Sequence, residues 1–329
     1  MVKLLLHRFA QMALIMAVVS FVLFAVFDSA KFKKQLAVNE LGGFAVQSLT
    51  ESDYQNWLEK KGLNVPFYER YVHWVANIAH GDFGRSFQKS AEVSTLLGRA
   101  LLNTGKLAFW VFALMVPLAL ITGVLAGIKE GSAQDRAISF VSVLFTSIPE
   151  IATAIFLTVI FALGMPVFLR WLGFSNEWAE ALKLPAKSRG EGWQYLVLPV
   201  ATLVLYDFGY VARMTRASVA EVMTSQYVRT AILKGLPYKR VIMRHVLRNA
   251  LIAPFTVIVL QLNWILSGVV VVEVFFQYEG FGKLLLDAAL FGDLYVVQAA
   301  TLAAVLVAVL SQIISDVGYT FLNPRIRFG

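Results

Sequence analysis

Three carboxylates stand where carboxylates are expensive. Glu150 in "SIPEIATAIF", Asp207 in "LVLYDFGYVAR" and Glu273 in "GVVVVEVFF" interrupt otherwise apolar runs. A charge in such a run costs at least ~2.5–3.5 kcal/mol unless paired or hydrated, so each should face protein or a wet cavity. Two readings stay open. The acids line a translocation path and meet the amino group or hydroxyls of a polar solute, or they make structural interhelical hydrogen bonds, aided at Glu150 by the break at Pro149. Arg213 lies six residues from Asp207, not three or four, so it is not its helical neighbour. Glu273, near the outer end of its run, is a candidate gate residue.

Other chemistry is thin. His7, His73, His80 and His245 form no H-E-x-x-H pair, and no G-x-S-x-G nucleophile elbow occurs. The absence of cysteine removes disulfides, thiolate metal sites and cysteine nucleophiles together. "GFGK", from Gly280 to Lys283, lacks both the spacing and the hydroxyl residue of a phosphate-binding loop, which excludes ATP hydrolysis by that route. These residues predict no catalytic residue and no metal site.

The second chemical feature is the basic stretch "SQYVRTAILKGLPYKRVIMRHVLRNA" at 225–250. From Arg216 to Lys234, a single helix would place Val219, Val222, Met223, Val228, Ala231 and Ile232 on one face. Gly235 can take the left-handed conformation that ends a helix, and Pro237 suits the first turn of the next. There Arg240, Arg244 and Arg248 recur at i, i+4 and i+8 as a cationic stripe. Three readings compete for this helix-Gly-helix elbow: an amphipathic pair on the inner leaflet, a nucleic-acid surface, disfavoured because no aromatic platform accompanies the cations, or a handle docking into a groove on a cytoplasmic partner.

The elements that must position these residues are membrane spans. Of 329 residues, 58% are hydrophobic and 15% charged, well under the roughly 25% charge of soluble chains. Six runs are long enough for the roughly 30 Å of hydrocarbon that takes about 20 helical residues. They lie near 9–27, 101–128, 137–163, 195–212, 254–276 and 294–319, predicting an all-α polytopic membrane protein. The first reads as a retained anchor, because its apolar run is too long for a signal and no small-x-small site precedes "DSAKFKK". The loop at about 213–253 carries eight cations against Glu221, whereas "FQYEGFGKLLLDAALFGD" carries one lysine and three acids. Cationic loops stay inside, which puts the basic loop and both termini in the cytoplasm; the net charge of +8 fits the same rule. The 164–194 loop, with four cations, fits it less well.

This organisation divides the chain into 1–28 (tail and first span), a helical periplasmic segment at 29–100 and a core of five spans at 101–329. In the segment, "TESDYQNWLEKKGL" predicts a helix capped by Thr50 or Ser52 and stopped at Gly62, and "PFYERYVHWVANIAHGDFG" one opened by Pro66 and ended by Gly81. Tyr71, Trp74 and Phe83 would suit an interfacial belt. Whether the segment caps an outer mouth or lies on the membrane without a partner stays open. Gly123 and Gly127 in "GVLAG" form a small-xxx-small pair that lets backbones approach. Pro117 and Pro149 should kink their spans.

The loop "YVRTAILKGLPYKRVIMRHVLRNALIAP" closely resembles that of the dipeptide/oligopeptide permease family of ABC importers. "GDFGRSF", "SIPE", "GVVVVEVFF", "EGFG", "GDLYVV" and "NPRIR" occur in that family's order along almost the whole chain. The resemblance implies a type I ABC importer permease fold in the inner membrane of a bacterial cell. It also implies a sister permease, two ATP-binding subunits and a periplasmic binding protein, with lipid but no nucleic acid as further partner. ATP and Mg would be used by the partner subunits, and this chain would bind no cofactor. The importer signature E-A-A-x-x-x-G maps onto Arg229, Thr230, Ala231 and Gly235, and the coupling surface onto Tyr227, Val228, Arg229, Thr230, Ala231, Lys234, Gly235 and Leu236. Arg229 for glutamate, Gln226 for aspartate, an extra Ala253 before Pro254, and Asn323 for aspartate depart from the pattern. Family cargoes include peptides, oligosaccharides and nickel complexes, and nothing in the spans chooses among them. The rival is a secondary transporter or channel whose basic loop anchors it to the membrane surface, although no internal repeat of that kind is found.

Overall fold

A computed structural model describes residues 2–42, 44, 46, 50–190, 192–266 and 269–322. Among these residues the only β pairing is an isolated bridge between Arg85 and Glu92; everything else regular is helical. The terminal "NPRIR", with Asn323, lies outside the described residues. Five helices are long and apolar enough to cross a membrane: Leu6–Phe27, Val93–Ile128, Glu150–Trp171, Gln194–Met223 and Leu294–Gly318. A sixth span is reached if Tyr238–Ala250 and Ile252–Gln261, bent by 48°, count as one.

Contacts divide the chain into two units, Met1–Leu102 with Gly280–Ile313, and Asn103–Glu279 with Ile314–Gly329. In the first, α1 (Val2–Phe27) packs on α4 (Phe67–Ala79), with α2 (Ala30–Leu41) and α3 (Glu51–Lys60) between them in sequence. Phe24 meets Phe67, Tyr71 and Trp74 at ring separations of 5.3–5.5 Å. Tyr71 and Trp74 are thus spent on α1. Arg70 grips Asp28 through Nη1 and Nη2 of its guanidinium group. Local rules place α3: Thr50 caps it in a reciprocal box with Asp53, and Gly62 leaves it at φ +65°. The start of α5 (Val93–Ile128) joins α14 (Phe281–Phe291) and α15 (Leu294–Leu322) through Val93, Leu97, Phe281 and Ala300.

The second unit, which includes the short α8 (Asn176–Ala181), is built around α9 (Gln194–Met223), the most enclosed of the five membrane-length helices. Glycines set how closely its neighbours approach. A Cβ on Gly123 would lie 2.5 Å from Thr215 Cβ, and one on Gly127 2.7 Å from the Arg216 carbonyl, so the small-xxx-small pair of α5 is a seat for α9. On α9 itself, Gly209 lies so close to α6 (Ala133–Ser147) that a Cβ would fall 2.2 Å from the Ser142 carbonyl oxygen.

Two expected spans are not continuous. The run at 137–163 breaks at Ile148, whose backbone is extended (ψ 127°), and α7 (Glu150–Trp171, with a π turn at Thr158–Gly164) starts after Pro149. Proline removes a donor and pushes its predecessor out of the helical region. Pro117 also lacks a donor, yet α5 runs through it as one helix. The run at 254–276 resolves into α12 (Ile252–Leu266) and α13 (Val270–Phe275).

Candidate functional site

At the basic loop, α9 stops at Met223. Thr224 and Ser225 turn their hydroxyls back to the Glu221 and Val222 carbonyls, and Ser225 is extended at ψ 147°. A new helix, α10 (Gln226–Leu233), then begins, so the single helix expected over 216–234 is two. Its register restarts. Val228 and Ala231 face inward, while Ile232, expected on that face, is 49% exposed. Gly235 ends α10 at φ +72° in a Schellman arrangement: its N–H donates to the Ile232 carbonyl (2.9 Å) and the Leu236 N–H to that of Ala231 (3.3 Å). Pro237 caps α11 (Tyr238–Ala250), which contains a π turn at Val241–Val246.

The elbow has a core of its own. Val219 from α9, Val228 and Ala231 from α10, and Val241, Ile242, Val246 and Ala250 from α11 are buried together, with Leu236 packed against them. Ser218 Oγ donates to the Ala250 carbonyl at 2.7 Å and Asn249 Nδ2 to Tyr227 Oη at 3.1 Å. Outside that core the elbow turns apolar groups outward: Leu233 is 79% exposed, and Tyr227, Tyr238 and Met243 are also out. Arg229, Thr230, Lys234, Arg240, Arg244 and Arg248 surround them, all exposed. A surface alternating large apolar and cationic groups on a rigid double helix is suited to a groove with apolar floor and acidic rim.

One anchor of this region has little local signature. Arg216 on α9 donates through Nε and Nη2 to Asp135 at 2.9 and 2.8 Å, across 81 residues of chain. Asp135 also accepts the Gly131 N–H and the Ser139 hydroxyl, and its own N–H is capped by Ser132. The hydrogen bonds from Arg216, more than any other cause, hold its carboxyl well below the usual carboxylate range despite desolvation. The S-x-x-D spacing from Ser132 was the available signal.

Glu150 is not mid-span. It lies in the first turn of α7, behind Pro149, where the free N–H groups and helix dipole favour a carboxylate. Asp207, 1% exposed, faces α7 from α9, close enough for the two acids to interact electrostatically. Gln261 on α12 donates to Asp207 Oδ1 at 2.5 Å. Asp207 Oδ2 and Glu150 Oε1 are buried without a hydrogen-bond partner. Arg213 instead donates to the Gly209 carbonyl. Glu273, fully buried, accepts from Thr104 Oγ1 at 2.6 Å. Nearby, Tyr278 Oη donates to the Asn103 carbonyl and Asn103 Nδ2 to that of Glu279. Glu150 and Asp207 therefore sit on two packed helices, whereas Glu273 belongs to a separate hydrogen-bonded corner.

The model of the binding-protein-dependent transport system inner membrane component family matches residues 119–328. A Brucella abortus (strain 2308) protein whose name assigns it to a peptide transport system as a permease is 35% identical over 268 residues, 81% of this chain and 82% of that one. The oligopeptide transport system permease protein AppB of Bacillus subtilis (strain 168) is 32% identical over 281 residues, 85% of this chain and 87% of its own. A crystal structure of an amino acid ABC transporter with histidines superposes with a TM-score of 0.50 at 14% identity, covering 69% of this chain and 94% of that one. That likeness carries the fold and nothing more.

Proposed function

The chain belongs to the family of binding-protein-dependent transport system inner membrane components, and is thus an inner-membrane permease subunit of an ABC importer; from that premise we propose that its elbow, Ser225–Ala250, is the surface on which a separate ATPase acts. The observation that carries this reading is the exposure of Leu233, Tyr227, Tyr238 and Met243 on an elbow with a closed core of its own. Large apolar groups around a stiff cationic stem are what a partner's groove would cover. ATP and Mg are held by the ATP-binding subunits, and this chain, which lacks a phosphate-binding loop, contributes no catalytic residue and binds no cofactor. Closure of two such subunits draws two elbows together. Because the elbow is stitched to α9 through Val219, Ser218 and Ala250, its movement is passed to the spans.

The second elbow is supplied by a sister permease, and the pair forms the pathway. The eight cations at 213–253 favour a cytoplasmic elbow with both termini on the same side. Peptides are the proposed cargo, on the strength of what the relatives' names say those proteins carry. In this reading Glu150, Asp207 and Glu273 lie on or beside the pathway.

The chain has no cysteine, so Leu233→Cys gives a single reporter without further engineering. In the assembled transporter, a short bifunctional reagent is expected to join this cysteine to an ATP-binding subunit, with a yield that changes on adding ATP. Cross-links only to lipid, or full uptake without any ATPase subunit, would overturn the reading in favour of a secondary transporter with a membrane-anchored loop.

A further inference from the structure

The chain leaves a specific set of acceptors open inside its second unit. Asp207 Oδ2, Glu150 Oε1 and the hydroxyl of Thr153, one turn along α7 from Glu150, are all buried without a hydrogen-bond partner. Thr153 is 5% exposed and Asp207 1%. Leaving one buried polar group unsatisfied is costly, and leaving carboxylates so is more costly still. The one bond present, from Gln261 to Asp207 Oδ1, fixes Asp207 by one oxygen and leaves the other free. Two acids on packed helices, within electrostatic reach of each other, repel rather than hold those helices together, and no ion pair to either acid is present among the described residues. Glu150 is only partly buried, so the group is not sealed from outside.

A small cation that donates hydrogen bonds would complement these groups. A bare metal ion would need more oxygen ligands at about 2.0–2.6 Å. A primary ammonium offers three N–H donors on one positive charge, matching three open acceptors and two carboxylates. We propose that Glu150, Asp207 and Thr153 form a subsite for the primary ammonium group of the transported solute, with Gln261 positioning Asp207. This rests on the reading of the chain as a peptide permease and specifies which end of the cargo it recognises.

Two measurements separate the site from that reading. The first is uptake of trialanine by the complete transporter, with sister permease, ATPases and binding protein, in liposomes. The second is equilibrium binding of trialanine and N-acetyl-trialanine to the solubilised permease–ATPase complex without binding protein. The wild type should bind the free amine at least about tenfold more tightly, as expected for a charge-assisted hydrogen bond, and Glu150→Gln with Asp207→Asn should remove the preference. Single Glu150→Gln, at the more exposed position, should reduce it and serves if the double variant fails to assemble. Equal wild-type binding of both peptides, or a preference that survives Glu150→Gln unchanged, overturns the site while leaving peptide transport intact. Wild-type complex that transports no trialanine overturns the cargo reading itself, and the site as an ammonium subsite falls with it.

Discussion

Gly235 allows conformation to be separated from contact in the elbow. Its φ of +72° is a value L-residues avoid, yet a Cβ added there meets nothing within 4 Å. Gly235→Ala therefore carries only the left-handed penalty, roughly 1–2 kcal/mol. The elbow core of Val219, Val228, Ala231, Val241, Ile242, Val246 and Ala250 stands against that strain; burying each such valine or isoleucine side chain contributes about 1.5–3 kcal/mol. The alanine variant should keep the elbow and most of the uptake. Gly235→Pro is different in kind. Proline locks φ near −65°, about 140° away, and deletes the N–H that bonds the Ile232 carbonyl. The Leu236-to-Ala231 bond depends on the same turn, so the Schellman motif is lost and α11 leaves α10 in a new direction. The spans are untouched. The assay is reconstituted uptake beside ATP hydrolysis stimulated by the binding protein, with membrane insertion checked by protease protection. Gly235→Pro should insert but lose at least tenfold in uptake and in stimulated hydrolysis, and Gly235→Ala should stay within about threefold of wild type. Wild-type coupling in the proline variant, or equal failure of both, would refute the argument that the turn's geometry transmits the motion.

Two further outcomes concern stability. Asp135→Asn removes the charge that Arg216 grips and should cost roughly 1–3 kcal/mol in a thermal melt of the purified protein. Because the Asp135 carboxyl is held below its ordinary value, its stabilisation is fully present above the unfolded value near 4 and fades only as the pH falls through the lower folded value; the gap between variant and wild type should be the same at pH 5 and pH 8. Gly209→Ala should cost about 1–3 kcal/mol by forcing α9 off the Ser142 carbonyl, whereas Gly105→Ala, which meets nothing within 4 Å, should be neutral or gain up to about 1 kcal/mol of helix propensity. Equal melting of the two glycine variants would contradict the close-packing role.

What was legible in the sequence follows the range of the forces involved. Thr50, Gly62, Pro66 and Gly81 act on their own turn, and the helices they bound stand where local rules put them. Long apolar runs declare that they cross a membrane, but they do not say where they stop being one helix. Pro149 ended a helix while Pro117 did not, although both sit in apolar runs. The break at Thr224 and Ser225 had no proline or glycine to announce it. It arises because hydroxyls satisfy the last carbonyls of α9 locally while Val228 and Ala231 gain burial against α11. That exchange between one turn's hydrogen bonds and a distant core is invisible to periodicity, which is why periodicity alone turns Ile232 inward although it is exposed.

The acids show the same limit from the other side. A carboxylate in an apolar run announces a cost, but its compensation is a property of three dimensions. Glu273 finds Thr104 across 169 residues and Asp207 finds Gln261 across 54. Nothing in the spacing of Glu150 and Asp207 suggests that α7 and α9 bring them together, and two acids would be the last pair chosen on electrostatic grounds within one chain. Their juxtaposition persists because the helix dipole at Glu150 and the Gln261 amide at Asp207 each offset part of the cost separately. Asp207 is thus held through one oxygen and open at the other, and Glu150 relies on the dipole of its own helix, so the cost that each acid carries is met by a different device.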